Sequence, residues 1–245
     1  MSPFLQAVID GSLELIVTIE SRDRALYDRH SSGFGGDVSL GVDLISEQIF
    51  SRHLSKFGAI FSEESGWIGE NNGSVIYIDP LDGSDNFISN IPYFGMSVAL
   101  EQEGKITEAA ILNLANRDIF LKNSDFSGSY KLYDKLVENE IFISDTPPVG
   151  IFEKAYEHPY LAGKLREAGF KFRSPGAIAL SLSYAPYVKY LLFLGTMRPY
   201  DIVAGLYLNE HLYVEKNDKY ILISSDLEVF ETINDIVKRS LLESI

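Results

Sequence analysis

The chain opens with apolar residues spaced three and four positions apart, at Leu5, Val8, Ile9, Leu13, Ile16 and Ile19. This spacing predicts an amphipathic helix within residues 3–28. A Ser- and Gly-rich break at 31–36 interrupts it. A second amphipathic helix is predicted from Asp43 onward, with that carboxylate near its start.

Apolar runs in the next part of the chain predict strands. A short strand is expected at 58–61, and a second at 74–79, where residues 75–78 form an apolar run. Residues 95–122 contain apolar runs, with Glu103, Gly104 and Lys105 at a hairpin turn, which predicts an antiparallel meander.

Beyond about residue 123, helical and strand patterns alternate. Helices are predicted at 152–168, 177–184 and 199–209, and strands at 170–172, 187–194, 211–215 and 219–223. The whole pattern indicates an α/β (α+β layered) fold. We expect one domain, 1–245, with subdomains of about 1–123 and 124–245 and a functional cleft between them.

The composition of the chain excludes several classes of function and of metal site. A net charge of −14 argues against general nucleic-acid binding, which requires basic patches. The absence of Cys excludes disulfides and thiolate metal sites. No apolar run reaches the ~18 residues that a membrane helix needs, and the N-terminal segment is a poor signal peptide. We therefore expect a cytoplasmic protein with no membrane partner.

Candidate chemistry appears where the second strand ends. The apolar residues 75–78 stop at Asp79, and Asp82 and Asp85 follow at intervals of three, with Gly83 and Ser84 between them. Oxygen ligands without sulfur or imidazole suit Mg²⁺. Backbone N–H groups in a Gly-Ser step can approach an anion closely. Metal and phosphate binding is therefore the first hypothesis.

Other acids could join this group. Glu63 follows the first strand, and Asp201 lies at the start of a predicted helix. If the two strands are neighbours, Glu63, Asp79 and Asp82 meet at one edge of the sheet. Such a cluster cannot remain ionised without cations, and two or three Mg²⁺ ions would satisfy it.

Simpler interpretations exist for each residue. Asp43 can be only a helix cap, Asp201 only a charge favoured by a helix dipole, and Glu63 only a solvated loop residue. A plain Asp-rich turn is another alternative at Asp79. A calcium loop is a weak interpretation, because its ligands fall at alternate positions.

Several segments resemble, in order and spacing, the signatures of the inositol monophosphatase family: Asp37–Asp43, Ser62–Ser65, Asp79–Phe87, Arg173–Leu180 and Arg198–Gly205. Its members are Mg²⁺-dependent, lithium-sensitive phosphomonoesterases. Related enzymes include fructose-1,6-bisphosphatases and 3′(2′),5′-bisphosphate nucleotidases. Residues 85–94 look close to archaeal enzymes with both inositol monophosphatase and fructose-1,6-bisphosphatase activity.

The resemblance implies a fold and a set of roles. The fold is an α-β-α-β-α sandwich, commonly a homodimer. The implied metal ligands are Glu63, Asp79, the Leu81 carbonyl, Asp82 and Asp201. The implied catalytic residues, which orient the attacking water, are Ser84 with Asp43 or Glu63. The implied substrate contacts are Asp82, Gly83, Ser84, Gly176, Ala177, Ile178 and Asp201.

The implied function is Mg²⁺-dependent hydrolysis of a small anionic phosphate monoester. The chain departs from the family where its inositol-contacting acid would stand, at Leu194, which cannot accept a hydrogen bond from a polyol. It also departs at 209–212 and 123–130. The alternatives are a fructose bisphosphatase, a bisphosphate nucleotidase, or a pseudoenzyme that binds protein or RNA machinery.

Overall fold

A computed structural model describes residues 1–71, 73–139 and 141–243. Within these ranges the helices are α1 (Pro3–Glu20), α2 (Gly41–Leu54), α3 (Ser84–Ile88), α4 (Pro159–Glu167), α5 (Ile178–Ser183), α6 (Pro199–Leu208) and α7 (Leu227–Glu243). The strands are β1 (Arg29–Ser32), β2 (Val38–Leu40), β3 (Ala59–Ser62), β4 (Gly66–Ile68), β5 (Ser74–Asp82), β6 (Gly95–Gln102), β7 (Lys105–Asn113), β8 (Asp118–Lys122), β9 (Ser127–Leu132), β10 (Leu136–Glu138), β11 (Gly150–Glu153), β12 (Phe172–Arg173), β13 (Leu191–Leu194), β14 (Tyr213–Lys216) and β15 (Tyr220–Ser224).

The strands form two main sheets. The larger has the order β10-β9-β8-β7-β6-β5-β3-β4, and the smaller has the order β12-β11-β13-β15-β14. The antiparallel meander predicted at 95–122 is confirmed as β6, β7 and β8. Strands β3 and β5 are the parallel neighbours in the larger sheet. A small hairpin of β1 and β2 stands apart from both sheets.

Helices cover both faces of each sheet. α1 and α2 pack on the outer face of the large sheet, α5 and α6 lie between the two sheets, and α4 and α7 cover the outer face of the small sheet. This order confirms the predicted α/β layering as an α-β-α-β-α sandwich. No helix among the described residues is both long and apolar enough to cross a bilayer.

Alternation along β13 shows how the layers form. Leu191 and Phe193 face the central helices, whereas Leu192 and Leu194 face the layer of α4 and α7. Successive side chains of a strand point to opposite faces, so a continuous apolar run indicates burial on both sides. The central strand of the small sheet has that property.

The helix predicted at 152–168 is wrong in its first half. Gly150–Glu153 is strand β11, which pairs in parallel with β12 and β13, and the helix begins only at Pro159. The short apolar run at 151–152 fits either period, and tertiary pairing decides it. Strands β1, β2, β4, β9 and β10 and helix α7 were not predicted.

The first helix is also shorter than predicted. It ends at Glu20, and a single 3-10 turn, Arg24–Tyr27, follows. The single domain 1–245 and its division near residue 123 stay predictions. The large sheet continues to Glu138, beyond that proposed boundary.

Two helical glycines predict opposite effects on stability. A Cβ at Gly205 of α6 would lie 2.3 Å from the Leu182 Cβ of α5, so we expect Gly205→Ala to destabilise the fold by about 1–3 kcal/mol. A Cβ at Gly163 of α4 meets nothing within 4 Å, so Gly163→Ala should stabilise by about 0.5–1 kcal/mol. Urea unfolding measures both, and equal effects would contradict the close packing of α5 on α6.

Candidate active site

The two parallel strands place acids from different segments together. Ser62 of β3 pairs with Ile78 of β5, and the Glu63 N–H donates to the Ile78 carbonyl at 3.2 Å. Glu63, which follows β3, and Asp79, which lies within β5, are therefore neighbours at the C-terminal end of β3. The two strands pair with each other, which is the condition on which the predicted meeting of these acids depended.

A β-bulge explains the spacing of Asp79 and Asp82. Asp79 pairs with Ser97 and Asp82 with Gly95, so three steps along β5 match two along β6. Side chains three residues apart on a regular strand point to opposite faces. The extra residue, next to Pro80, turns both carboxylates into one cleft.

Helix α6 contributes the third acid of the cluster, Asp201. Pro199 occupies its first turn, where the missing N–H costs nothing, and Asp201 is 2% exposed in that same turn. Carboxylate oxygens of Glu63, Asp79 and Asp201 lie within 4.8 Å of one another. Three segments distant in sequence thus converge on one point.

Gly83 forms the adjoining turn. Its φ is +84°, and a Cβ there would lie 3.0 Å from the Ala177 Cβ and 3.1 Å from the Tyr93 carbonyl oxygen. A side chain is therefore excluded by both conformation and space. The short helix α3 starts at the next residue, Ser84, and Asn86 within it donates to the carbonyls of Tyr93 and Pro175.

Burial and mutual repulsion disfavour ionised carboxyl groups here. Burial, with the neighbouring acids adding to it, raises the pKa of Asp79 and of Asp82 well above the usual range. Burial, with the neighbouring Asp201 adding to it, raises the pKa of Glu63 to about 8. A bound cation would reverse these shifts, because it favours the charged forms.

Asp43 extends the acidic group from α2. Its Oδ2 accepts a hydrogen bond from the Leu40 N–H at 2.6 Å, whereas its buried Oδ1 has no hydrogen-bond partner among the described residues. Burial raises the pKa of this carboxyl to about 7. An unpartnered buried oxygen beside an all-oxygen donor set fits a site for Mg²⁺ and its water ligands.

Every residue assigned a role from the sequence lines one cleft of about 480 Å³: Asp43, Glu63, Asp79, Leu81, Asp82, Gly83, Ser84, Gly176, Ala177, Ile178 and Asp201. The structure thus brings the metal and substrate candidates together. Their individual roles stay predictions.

Arg198 is a participant to which the sequence reasoning gave no role. Its Nε donates to Asp201 Oδ2 at 2.9 Å, and one terminal nitrogen lies 3.0 Å from Glu63 Oε1. The same nitrogen contacts Asp37 Oδ2 at 3.2 Å. Burial opposes the charge on Arg198, but Asp201 and Glu63 outweigh it and raise the pKa of the guanidinium. The only sequence signal was its place three residues before Asp201.

Glu153 is a second residue that was missed, because its segment was predicted to be helical. Its buried carboxylate accepts hydrogen bonds from the Gly176 N–H at 2.9 Å, the Ala177 N–H at 3.4 Å and the Ser181 hydroxyl. These contacts fix the turn expected to touch the substrate. Burial raises the pKa of Glu153, although the three hydrogen bonds oppose that shift.

The specificity position also needs a correction. Leu194 packs in the outer layer with Phe152 and Leu192 and does not line the cleft. The β13 residue that lines it is Phe193. The side chain of Leu194 therefore does not replace a polyol contact. An aromatic ring one residue earlier borders the cleft instead.

A sequence profile described as the inositol monophosphatase family matches residues 38–210. The chain belongs to this family. The family resemblance noted in the sequence is confirmed, and so is its layered fold. Inositol monophosphatase family members are phosphatases, and the acidic cluster agrees with the Mg²⁺ dependence that is general among them.

Two known proteins illustrate the sequence similarity of the chain to its relatives. A fructose-1,6-bisphosphatase of Pyrococcus furiosus is 28% identical over 69% of this chain and 66% of its own length, just under two thirds. Nus factor SuhB of Escherichia coli is 30% identical over 69% of this chain and 67% of its own.

Solved structures of the inositol monophosphatase family share the architecture. The IMPase of Thermotoga maritima superimposes with a TM-score of 0.76 at 21% identity, over 96% of this chain and 98% of that one. At this identity the likeness establishes the fold alone.

We expect the metal-free protein to lose stability as the pH rises from about 5 to 8, which follows from the raised pKa values of Glu63 and Asp43. A group whose folded-state pKa is raised stabilises the fold at low pH, and this contribution disappears as the pH passes that pKa. The Tm in EDTA should fall across this range, and Mg²⁺ should reduce the fall.

Asp79→Asn tests whether the buried acids cause the fall in Tm with rising pH, because it removes one of them from the cluster. Its Tm in EDTA should depend less on pH than that of the unmodified protein. A Tm in EDTA that is constant from pH 5 to 8 would contradict the electrostatic picture.

Glu153→Gln should weaken substrate binding more than turnover, because it loosens the turn at Gly176 and Ala177. We expect KM to rise about tenfold, as the loss of one charge-assisted hydrogen bond implies, and kcat to change less. Steady-state phosphate release measures both constants. Glu157→Gln, at an exposed acid nearby, is the control, and a fall confined to kcat would contradict the positioning role.

Proposed function

We propose that the chain hydrolyses a small phosphate monoester with the help of Mg²⁺. One observation carries the proposal: Glu63, Asp79 and Asp201 converge within 4.8 Å beside the Gly83–Ser84 turn. Phosphoryl transfer depends mainly on positioning and charge neutralisation, and both would be supplied here.

Acidic residues of the cleft are the candidate metal ligands. Glu63, Asp79, Asp82, Asp201 and the Leu81 carbonyl would hold two or three Mg²⁺ ions. Bound Mg²⁺ would lower the pKa of a water molecule and neutralise charge on the phosphate and the leaving oxygen.

The attacking water needs orientation and a proton acceptor. The hydroxyl of Ser84 would orient it, and Asp43 or Glu63 would accept its proton. Position supports this role for Asp43, because it lines the same cleft and its Oδ1 has no hydrogen-bond partner among the described residues. The N–H groups of Gly83 and Ser84 would hold the phosphate oxygens.

The cleft also holds cationic groups, which favour a second anionic group over a bare polyol. Lys154 and Arg29 line it, as do Phe193, Gly176, Ala177 and Ile178. Cations there would attract a second phosphate. A sugar bisphosphate is therefore the second candidate substrate, and the Pyrococcus relative named fructose-1,6-bisphosphatase supports it. A bisphosphate nucleotidase remains an alternative of the same class.

A role in binding other macromolecules is the alternative of a different class. The relative named Nus factor SuhB supports it. The retained carboxylates argue for enzymatic activity, and the net charge of −14 opposes direct contact with nucleic acid. A homodimer and a cytoplasmic location are expectations that accompany the proposal.

A panel of esters tests the proposed function. Phosphate release is measured with inositol 1-phosphate, fructose 1,6-bisphosphate and adenosine 3′,5′-bisphosphate, each in Mg²⁺ and in EDTA. We expect Mg²⁺-dependent release, with kcat/KM highest for a bisphosphate. Release from no ester would refute the enzymatic proposal in favour of the binding role.

Asp82→Asn gives a matched test of the same site. We expect kcat to fall at least about 100-fold, or ~3 kcal/mol, because a metal-facing charge is lost. The Asn oxygen can still accept the hydrogen bond that Leu180 N–H donates to Asp82 at 2.7 Å. Asp118→Asn, a buried acid outside the cleft, should leave kcat unchanged. Full turnover in Asp82→Asn would refute the role of that carboxylate.

A further inference from the structure

Arg198 stands inside the acidic cluster with its charge directed at two of the carboxylates. No other Lys or Arg of the described residues lies within ion-pair distance of Glu63, Asp79 or Asp201. Among the described residues, the guanidinium is therefore the one cation in direct contact with these carboxylates.

Arg198 contacts carboxylate oxygens of two of the candidate metal ligands. Arg198 engages Glu63 Oε1 at 3.0 Å and Asp201 Oδ2 at 2.9 Å, on two acids whose oxygens are near enough to share one cation. A guanidinium presents its donors in a rigid fork and stays charged at every accessible pH. The positive charge of Arg198, held within hydrogen-bond distance of these two carboxylates, repels a metal ion that would coordinate the same two acids.

We propose that Arg198 is an internal counter-ion that competes with one metal ion of the site. It holds Glu63 and Asp201 together in the metal-free protein, and it weakens metal binding because a partly buried ion pair must be broken first. This inference rests on the proposed function, since it concerns the same metal site.

A second contact of Arg198 offers a rival explanation. The same terminal nitrogen reaches the Gly35 carbonyl at 3.3 Å and Asp37 Oδ2 at 3.2 Å, and the Gly35 N–H donates to the Glu63 carbonyl at 2.8 Å. Arg198 thus also tethers the loop at 33–37. If tethering were its whole role, removing Asp37 would reproduce the effect of removing Arg198.

Calorimetric titration with Mg²⁺ alone separates these explanations. Protein freed of metal with EDTA and then dialysed is titrated as the unmodified chain, Arg198→Gln, Arg29→Gln and Asp37→Asn. We expect Arg198→Gln to bind the weakest ion at least about tenfold more tightly, or to bind one more ion per chain. Arg29 lines the same cleft without an ion pair to the cluster, so Arg29→Gln should stay within about twofold. Asp37→Asn should not tighten binding, because it removes a negative charge.

Thermal unfolding provides a second measurement. Arg198→Gln should have a lower Tm than the unmodified chain in EDTA, and saturating Mg²⁺ should narrow this gap, since ligand binding stabilises the folded state. If Arg198→Gln does not fold in EDTA, Arg198→Lys replaces it. Lysine keeps the charge and loses the fork, so its metal binding should also be tighter than that of the unmodified chain.

The outcomes are distinguishable. Metal binding in Arg198→Gln that is equal to or weaker than that of the unmodified chain overturns the competition, while the metal site itself stands. Tighter binding in Asp37→Asn as well overturns it in favour of the tether. No Mg²⁺ binding in any variant overturns both this inference and the proposed function.

Discussion

Repulsion among buried carboxylates is the constraint on which the site depends. Glu63, Asp79, Asp82 and Asp201 are removed from water and lie near one another, and each has a raised pKa for that reason. No core would tolerate this arrangement as four free anions. Protonation, one guanidinium and bound cations are the three ways to relieve it, and the balance among them connects stability, metal binding and catalysis in this molecule.

The arrangement of strands and helices forces these carboxylates to lie close together. Parallel pairing of β3 with β5 sets the first two acids side by side, and a bulge adds Asp82 on the same side. Helices α5 and α6 of the central layer pack over these strands, and the Leu180 N–H of α5 donates a hydrogen bond to Asp82. Side chains placed by strands and helix ends are held more rigidly than side chains on long loops.

Much of this was predictable from the sequence, for reasons that differ by residue. Asp79, Asp82 and Gly83 follow an apolar strand so closely that local order alone locates them. Arg198 and Glu153 carry a weaker local signal, since Glu63 lies 135 residues before Arg198 and Gly176 lies 23 residues after Glu153. The strand at Gly150–Glu153 is short and ambiguous in period, and only its pairing with β12 and β13 determines its state. The inward position of Phe193 in place of Leu194 depends on strand register, which the sequence pattern did not resolve.

The central helix layer has a consequence for how the protein is made. α6 carries Asp201 and follows β13 of the small sheet, yet it packs on β5, β6 and β7 of the large one. During synthesis the large sheet emerges from the ribosome first, with Glu63, Asp79 and Asp82 already in it. The acidic cluster cannot be completed until α6, which carries Asp201, has emerged and packed on the large sheet. A nascent chain therefore carries an unfinished acidic edge for more than a hundred residues of translation.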